Sequence, residues 1–247
     1  MEWSRRIMAE TISVALPVYN GALYLEQQLN SILEQLEPGD EIVAAYQPSS
    51  DNSLEILERY QRSDERVKIL HNDRKGITSN FQLALEHCGG DYIFLCDQDD
   101  VWLPEKRQSV VNAFRSGDAD LILHDAVHTD ETLNRQDKTF FEIYPLGPGK
   151  WKNIKKPRMS GCCMAFTRAM RDKVLPLPEI YGYDQWIFVV AEFAGRIEYL
   201  PRVLLLHRLH GENSTSSTRR LDVVLYCRAK LLIHLGLRLL RIKFLKK

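Results

Sequence analysis

The chain has 247 residues, 45% of them apolar and 27% charged, with 13 Gly, 10 Pro and 5 Cys, proportions that exclude a disordered, collagen-like or disulfide-scaffold protein. A chain of this length buries roughly three quarters of its unfolded surface, so it needs no staple to fold. Lys plus Arg and Asp plus Glu balance at 33 each, but nine of the basic residues and one acid, Asp222, lie between Arg219 and Lys247, and the acidic body that remains is a poor partner for nucleic acid.

In chain order, Met1–Glu10 carries Arg5 and Arg6 with no apolar core after it, so no secretory leader is expected. Ile12–Val18 is a β-branched run closed by Pro17 and the turn pair Asn20–Gly21, and reads as a strand. Leu25, Leu29, Ile32, Leu33 and Leu36 recur at helical spacing and place a helix within Leu23–Leu36, stopped at Pro38–Gly39. Glu41–Tyr46 is a second strand. Ser49, Ser50, Asp51 and Asn52 then offer cap oxygens to a helix carrying Leu54, Ile56, Leu57 and Tyr60. Val67–Leu70 (strand), Ser79–His87 (helix) and Tyr92–Cys96 (strand) follow. This alternation predicts βαβ units, hence an α/β fold whose largely parallel sheet is covered on both faces. Ligands of such sheets sit at the carboxyl ends of the strands, so the loops after Val18, Tyr46 and Cys96 should converge on one crevice.

The second half is less regular. A helix is expected to begin near Pro104, Ala119–His124 reads as a strand and Thr129–Lys138 as a polar turn. Pro145–Pro157, rich in Pro, Gly and Lys, reads as a mobile loop. Gly161–Phe166 (strand), Asp184–Ala194 (helix), Val203–Leu206 (strand) and a long C-terminal helix complete the pattern. No run of about 18 uncharged apolar residues occurs, which argues against a spanning helix. The five cysteines, Cys88, Cys96, Cys162, Cys163 and Cys227, lack CxxC spacing and read as buried small hydrophobes of a reducing cytosol.

The strongest chemical feature is Asp97-Gln98-Asp99-Asp100 directly after the strand Tyr92–Cys96. Three carboxylates in four residues repel one another unless a cation neutralises them, and hard divalent ions prefer oxygen ligands shared with phosphates. The alternative is a solvated acidic turn.

The chain resembles the inverting nucleotide-sugar glycosyltransferases of family 2, with a GT-A fold, and the bacterial rhamnosyltransferase-like members that build surface polysaccharide in particular. The likeness rests on Leu16-Pro17-Val18-Tyr19-Asn20-Gly21, Ser49-Ser50-Asp51-Asn52-Ser53, Gly90 through Trp102, Gly161-Cys162-Cys163-Met164-Ala165-Phe166, Tyr183-Asp184-Gln185-Trp186 and His207 through Asn213, in the family's order. The resemblance implies a catalytic domain over 1–218, with a nucleotide-binding half at 11–100 and an acceptor-binding half at 101–218, followed by a basic, apolar helix at 219–247.

It also implies roles. Asp97 would approach the ribose, Asp99 would bind a divalent metal ion, Mn²⁺ or Mg²⁺, and His210 would complete the metal shell, with Asp100 behind them. Pro17, Tyr19, Asn20, Tyr46, Gln47, Asn80, Gln98 and Gly161 would line the nucleotide-sugar site, although Asn80 reads equally well as a helix N-terminal residue. Asp184 would be the general base that takes the acceptor hydroxyl's proton, and the aromatic residues Tyr181, Tyr183 and Trp186 around it would raise its proton affinity and stack on sugar faces, Tyr183 and Trp186 forming the acceptor site. Asp184 would also serve as an N-cap of the Gln185–Ala194 helix. Tyr46-Gln47-Pro48 departs from the family, which has two acids and a Gly there. Gln47 retains a carbonyl acceptor for a pyrimidine N3–H, and Tyr46 would stack on the base.

The expected partners are a nucleotide-sugar donor, UDP-hexose or dTDP-rhamnose, and an oligosaccharide or lipid-linked glycan acceptor. The expected location is the cytoplasm, with the inner face of the plasma membrane as a peripheral site. The C-terminal helix resembles an interfacial amphipathic segment, yet Arg228, Lys230, Arg238 and Lys243 point in several directions around it. A packing helix or a homodimer explains its leucines as well. A non-catalytic sugar-nucleotide-binding protein of the same fold is the alternative function.

Overall fold

The computed structural model describes residues 10–144, 147–155, 160–179, 182–211 and 221–245. β1 (Ile12–Val18), α1 (Leu25–Leu33), β2 (Glu41–Tyr46), α2 (Ser53–Ser63), β3 (Val67–His71), α3 (Ile77–His87) and β4 (Tyr92–Leu95) form the first half. β5 (Val101–Trp102), α4 (Lys106–Ser116), β6 (Leu121–Thr129), β7 (Arg135–Thr139), α5 (Phe140–Ile143) and α6 (Lys150–Lys155) follow. A 3-10 turn (Gly161–Cys163) then leads into β8 (Met164–Thr167), α7 (Arg168–Val174), α8 (Tyr183–Ala194), β9 (Ile197–Arg208) and α9 (Leu221–Leu245).

The strands make one sheet in the order β3-β2-β1-β4-β8-β6-β9-β5, with β7 paired beside β6. The pairs β2–β3, β1–β2 and β1–β4 are parallel, as the βαβ alternation requires. β8 runs antiparallel between β4 and β6, and β6 and β9 are again parallel. Every residue of β1 and β2 is buried. Helices therefore cover both faces of these central strands, which is why they read as continuous apolar runs rather than alternating ones.

Four expectations change. Thr129–Lys138 is a hairpin rather than a polar turn: β6 continues to Thr129 and pairs with β7. Asp130 closes it, accepting from the Asn134 side chain at 2.8 Å and from the Asn134 and Thr132 N–H groups at 2.9 Å each, and these bonds, the Asn134 side chain first, hold its carboxyl down at about 2. Within Pro145–Pro157, Lys150–Lys155 is helical, with Asn153 bonded to Glu192 at 2.8 Å, so this part is docked rather than loose; residues 145–146 and 156–157 lie outside the described residues. β9 is much longer than Val203–Leu206, because Ile197–Leu200 also pairs with Leu121–His124. Gly161–Cys163 turns as a 3-10 helix before the strand begins, and α7 had no apolar run to announce it.

Candidate active site

The loops after β1, β2 and β4 do converge, through side chains that grip backbone. Gln98 accepts the Tyr19 N–H through Oε1 and donates through Nε2 to the Tyr19 carbonyl, each at 2.9 Å. Asn20 sits at φ 47°, a conformation Asn tolerates. Its Oδ1 accepts the Ser50 N–H at 2.9 Å, and its own N–H donates to Ser49 Oγ at 3.0 Å. Asp51 accepts the Ala22 N–H at 2.9 Å, and Ser53 Oγ accepts the Gly21 N–H at 2.8 Å. The polar run Ser49–Ser53 thus joins β2 to the β1 loop; Asn52 makes no side-chain cap bond to α2. Pro17 is within β1, and Tyr19 stands half exposed at the crevice.

Two residues given no role from the sequence support the acidic loop: Arg208 of β9 bonds it directly, and Lys106 of α4 lies beside it as a buried cation. Arg208 donates its N–H to Asp100 Oδ1 at 3.1 Å and its Nε to the Asp99 carbonyl at 2.9 Å, while its guanidinium lies 4.4 Å over the Tyr24 ring. Lys106 is buried, donates from Nζ to the Cys162 carbonyl at 3.0 Å and sits 4.4 Å over the Trp102 ring. Burial lowers its proton affinity, while the surrounding thiols and Asp100 raise it. Arg208 lies in the His207–Asn213 segment that carries the family likeness, but its contacts, like those of Lys106, reach across the fold and have no local signal.

Asp99 Oδ2 lies 2.8 Å from His210 Nε2, although 111 residues separate them. Asp97 is driven well above the usual carboxylate range by burial and then by the charges of Asp100, Asp99 and Asp184. Asp184 is therefore within electrostatic reach of the acidic loop. Burial likewise raises Asp184, whose Oδ1 accepts the Gln185 N–H at 2.8 Å. Asp100 is pushed up to about 7 by burial and the neighbouring Asp99 charge, against the Arg208 N–H. Its Oδ2 is buried with no hydrogen-bond partner among the described residues. Asp97, Asp100 and Cys162 bring one ligand atom each within 4.8 Å of one another.

Tyr183 stacks on Phe81 at 4.1 Å, and burial together with the Asp97 and Asp184 charges pushes its hydroxyl well up. Gly161 makes room for it, since a Cβ there would lie 2.5 Å from Tyr183 Oη. Asp184 is in the first turn of α8 rather than at its N-cap, which is Gly182 at φ 84°.

Four of the residues expected to line the site are held by other parts of the chain. Trp186 does not face a sugar: it is 1% exposed, and its Nε1 donates to the Val174 carbonyl at 2.8 Å. The Tyr46 ring is buried edge-on to His71, with its hydroxyl accepting the Ser49 N–H at 3.0 Å, so it shapes the loop and offers no face to a base. Gln47 Oε1 already accepts the Gly76 N–H at 2.8 Å, which leaves one lone pair rather than two for a ligand. Asn80 is buried, with its Oδ1 accepting from Asn72 at 2.6 Å. Tyr181, Glu212 and Asn213 lie outside the described residues.

A family model described as glycosyl transferase family 2 matches residues 13–175. The chain belongs to this family. An uncharacterized glycosyltransferase of Nostoc sp. is 28% identical over 221 residues, covering 83% of this chain and 67% of that protein. The dTDP-rhamnosyl transferase RfbG of Shigella flexneri is 26% identical over 219 residues, 82% of this chain and 74% of that one. S. aureus TarS 1–349, solved in complex with UDP-GlcNAc, superposes with a TM-score of 0.72 at 20% identity, over 90% of this chain and 66% of that chain. The family's GT-A-like fold is thus present here. The chain spans about two thirds of the length of the Nostoc protein and of the TarS fragment.

The donor chemistry suits a divalent cation. A carboxylate oxygen and an imidazole nitrogen lie side by side at Asp99 and His210, and the same loop carries the cluster of Asp97, Asp100 and Cys162, in which one Asp100 oxygen is buried with no hydrogen-bond partner among the described residues.

Proposed function

We propose that the chain is a metal-dependent inverting glycosyltransferase. It would move a sugar from a nucleoside-diphosphate donor, UDP-hexose or dTDP-rhamnose, to a hydroxyl of a lipid-linked glycan acceptor in bacterial surface polysaccharide synthesis. The observation that supports this reading is the Asp99–His210 contact in the acidic loop, beside the gripped loops after β1 and β2, with the Asp184 charge felt by Asp97. The names of the rhamnosyl transferase and of the UDP-GlcNAc complex among its relatives support the donor class.

In this reading Tyr19, Asn20 and Gln98 form the wall of the nucleotide pocket, and Asp97 accepts from the ribose. Asp99 and His210 hold the cation, which when bound offsets the charge building on the leaving diphosphate. Tyr183 lies beside Asp184 at the acceptor side. The acceptor oxygen attacks the anomeric carbon from the face opposite the diphosphate, the bond to the diphosphate oxygen breaks, and that oxygen leaves with the electron pair. Asp184 receives the hydroxyl proton. Because burial raises its proton affinity, it is a better base than a solvated carboxylate.

Thermal shift with UDP, dTDP, GDP and CMP, each with and without Mn²⁺, tests the donor site, since a ligand that binds only the native state stabilises it. A Mn²⁺-dependent shift with one nucleotide, lost in Asp99→Ala and kept in Asp184→Ala, is expected. Both variants should abolish transfer. Binding of a nucleotide without turnover by the intact chain would favour the non-catalytic alternative.

A further inference from the structure

Helix α9 carries two apolar faces, and only one of them is used. Leu231 and Leu235 are buried, and Leu239 and Ile242 pack against the same core. Between them Arg238 lays its guanidinium 5.4 Å over the Trp186 ring and donates to the carbonyls of Lys173, Leu175 and Pro176. This inner face pins the helix to α8. At 100° per residue, Tyr226, Ile233, Leu237, Leu240 and Phe244 fall on the opposite side, and all are between 55% and 72% exposed. Their stripe runs almost the full length of a 25-residue helix, about 37 Å at 1.5 Å per residue. Packing engages Leu231, Leu235, Leu239 and Ile242 and leaves the larger share of the helix's described apolar residues facing solvent, an arrangement that marks an interaction surface.

We propose that this outer face docks on an anionic lipid surface. The charges around it decide the partner. Arg238 and Arg228 both fall on the inner side, and of the other cations on the helix Lys230 and Arg241 lie along one border of the apolar stripe and Lys243 along the other. Asp222, at the N-terminal end, is the one acid on the helix. A second copy paired face to face would bring cationic borders together, whereas anionic headgroups complement both. Basic residues flanking an apolar stripe fit a helix that lies in the interface with its apolar face among the acyl chains. Among the described residues, no helix is long and apolar enough to cross a membrane, so this contact is on the surface. Since α9 is fastened to α8, whose first turn holds Asp184, docking would hold the candidate base at the bilayer. That link rests on the proposed transfer to a lipid-linked acceptor; the docking itself does not.

The test is flotation of the full chain with phosphatidylglycerol–phosphatidylcholine vesicles and with phosphatidylcholine alone. The unmodified chain should float with the anionic vesicles, and less so as salt is raised. Ile233→Gln/Leu237→Gln/Leu240→Gln should lose at least about tenfold in partitioning with an unchanged melting temperature, because the replaced side chains are exposed. Lys230→Gln/Arg241→Gln/Lys243→Gln should lose about fivefold per charge on anionic vesicles only. Three results overturn the proposal: no flotation of the folded unmodified chain, equal flotation of the apolar-face variant, or a dimer in sedimentation velocity that the apolar-face variant dissolves. Nucleotide-dependent stabilisation of the same variants reports the donor site separately, so failure of one reading is distinguishable from failure of the other.

Discussion

Asp184→Asn removes basicity while keeping shape, because an amide oxygen can still accept the Gln185 N–H now held at 2.8 Å. A positioned general base contributes about 10²–10⁴-fold in rate, or roughly 3–5 kcal/mol of barrier at 1.36 kcal/mol per decade. The expected outcome is a fall in kcat of that size with nucleotide affinity unchanged. Burial raises the Asp184 carboxyl, so the wild-type rate should climb with pH through a value above the ordinary Asp pKa of about 3.9, and the variant should lack that limb. Stability provides a second reading that needs no donor sugar. An acid with a raised folded pKa keeps its proton in the window where the unfolded chain has lost it. Stability therefore falls as pH rises through that window and stays lower above it. The variant escapes this loss and should melt higher than wild type at pH 8 in chelator, with the gap closing towards pH 4. Steady-state kinetics across pH, using the donor identified by thermal shift, and melting curves across the same range make the measurement. A variant whose kcat stays within about threefold of wild type, with its acidic limb intact, would refute the base assignment.

The remaining predictions probe the supports of the site. Gly161→Ala places a Cβ 2.5 Å from Tyr183 Oη and should cost about 1–3 kcal/mol by overpacking. Adding Tyr183→Phe should recover part of that cost, and a single variant that melts like wild type would contradict the contact. Arg107→Ala leaves Asp40, fully buried and now held by Arg107 Nε at 2.5 Å, without its cation. Breaking such a pair costs about 3 kcal/mol or more, a drop of about 6–12 °C in a chain of this size, read by circular dichroism; a shift under about 2 °C would be too small for the reasoning. Cys88, Cys96, Cys162 and Cys163 are buried, and burial pushes the Cys88 thiol up to about 12. Only the partly exposed Cys227 should therefore react quickly with a disulfide reagent in the native protein; a second fast equivalent would contradict this.

The first half of the fold was legible because each of its elements is set by local pattern. Continuous apolar runs made β1, β2 and β4, helical spacing made α1 and α2, and strand alternation fixed which loops share a crevice. The acidic string also stood out, since charge packed at a strand end is costly without a purpose, whereas Asp184 drew notice only through the family resemblance, an acid in the first turn of a helix being favourable in itself. Three-dimensional contacts decided the rest. Arg208 and Lys106 act on residues 108 and 56 positions away, distances over which sequence patterns carry no signal. Trp186 and Tyr46 look like sugar and base platforms by composition. They are core residues because their neighbours, Arg238 and Val174 for one and His71 for the other, arrive from elsewhere in the chain. The two apolar faces of α9 are likewise indistinguishable along the sequence. Only docking against α8 removes one of them from water, and the physical meaning of the other follows from what is left exposed.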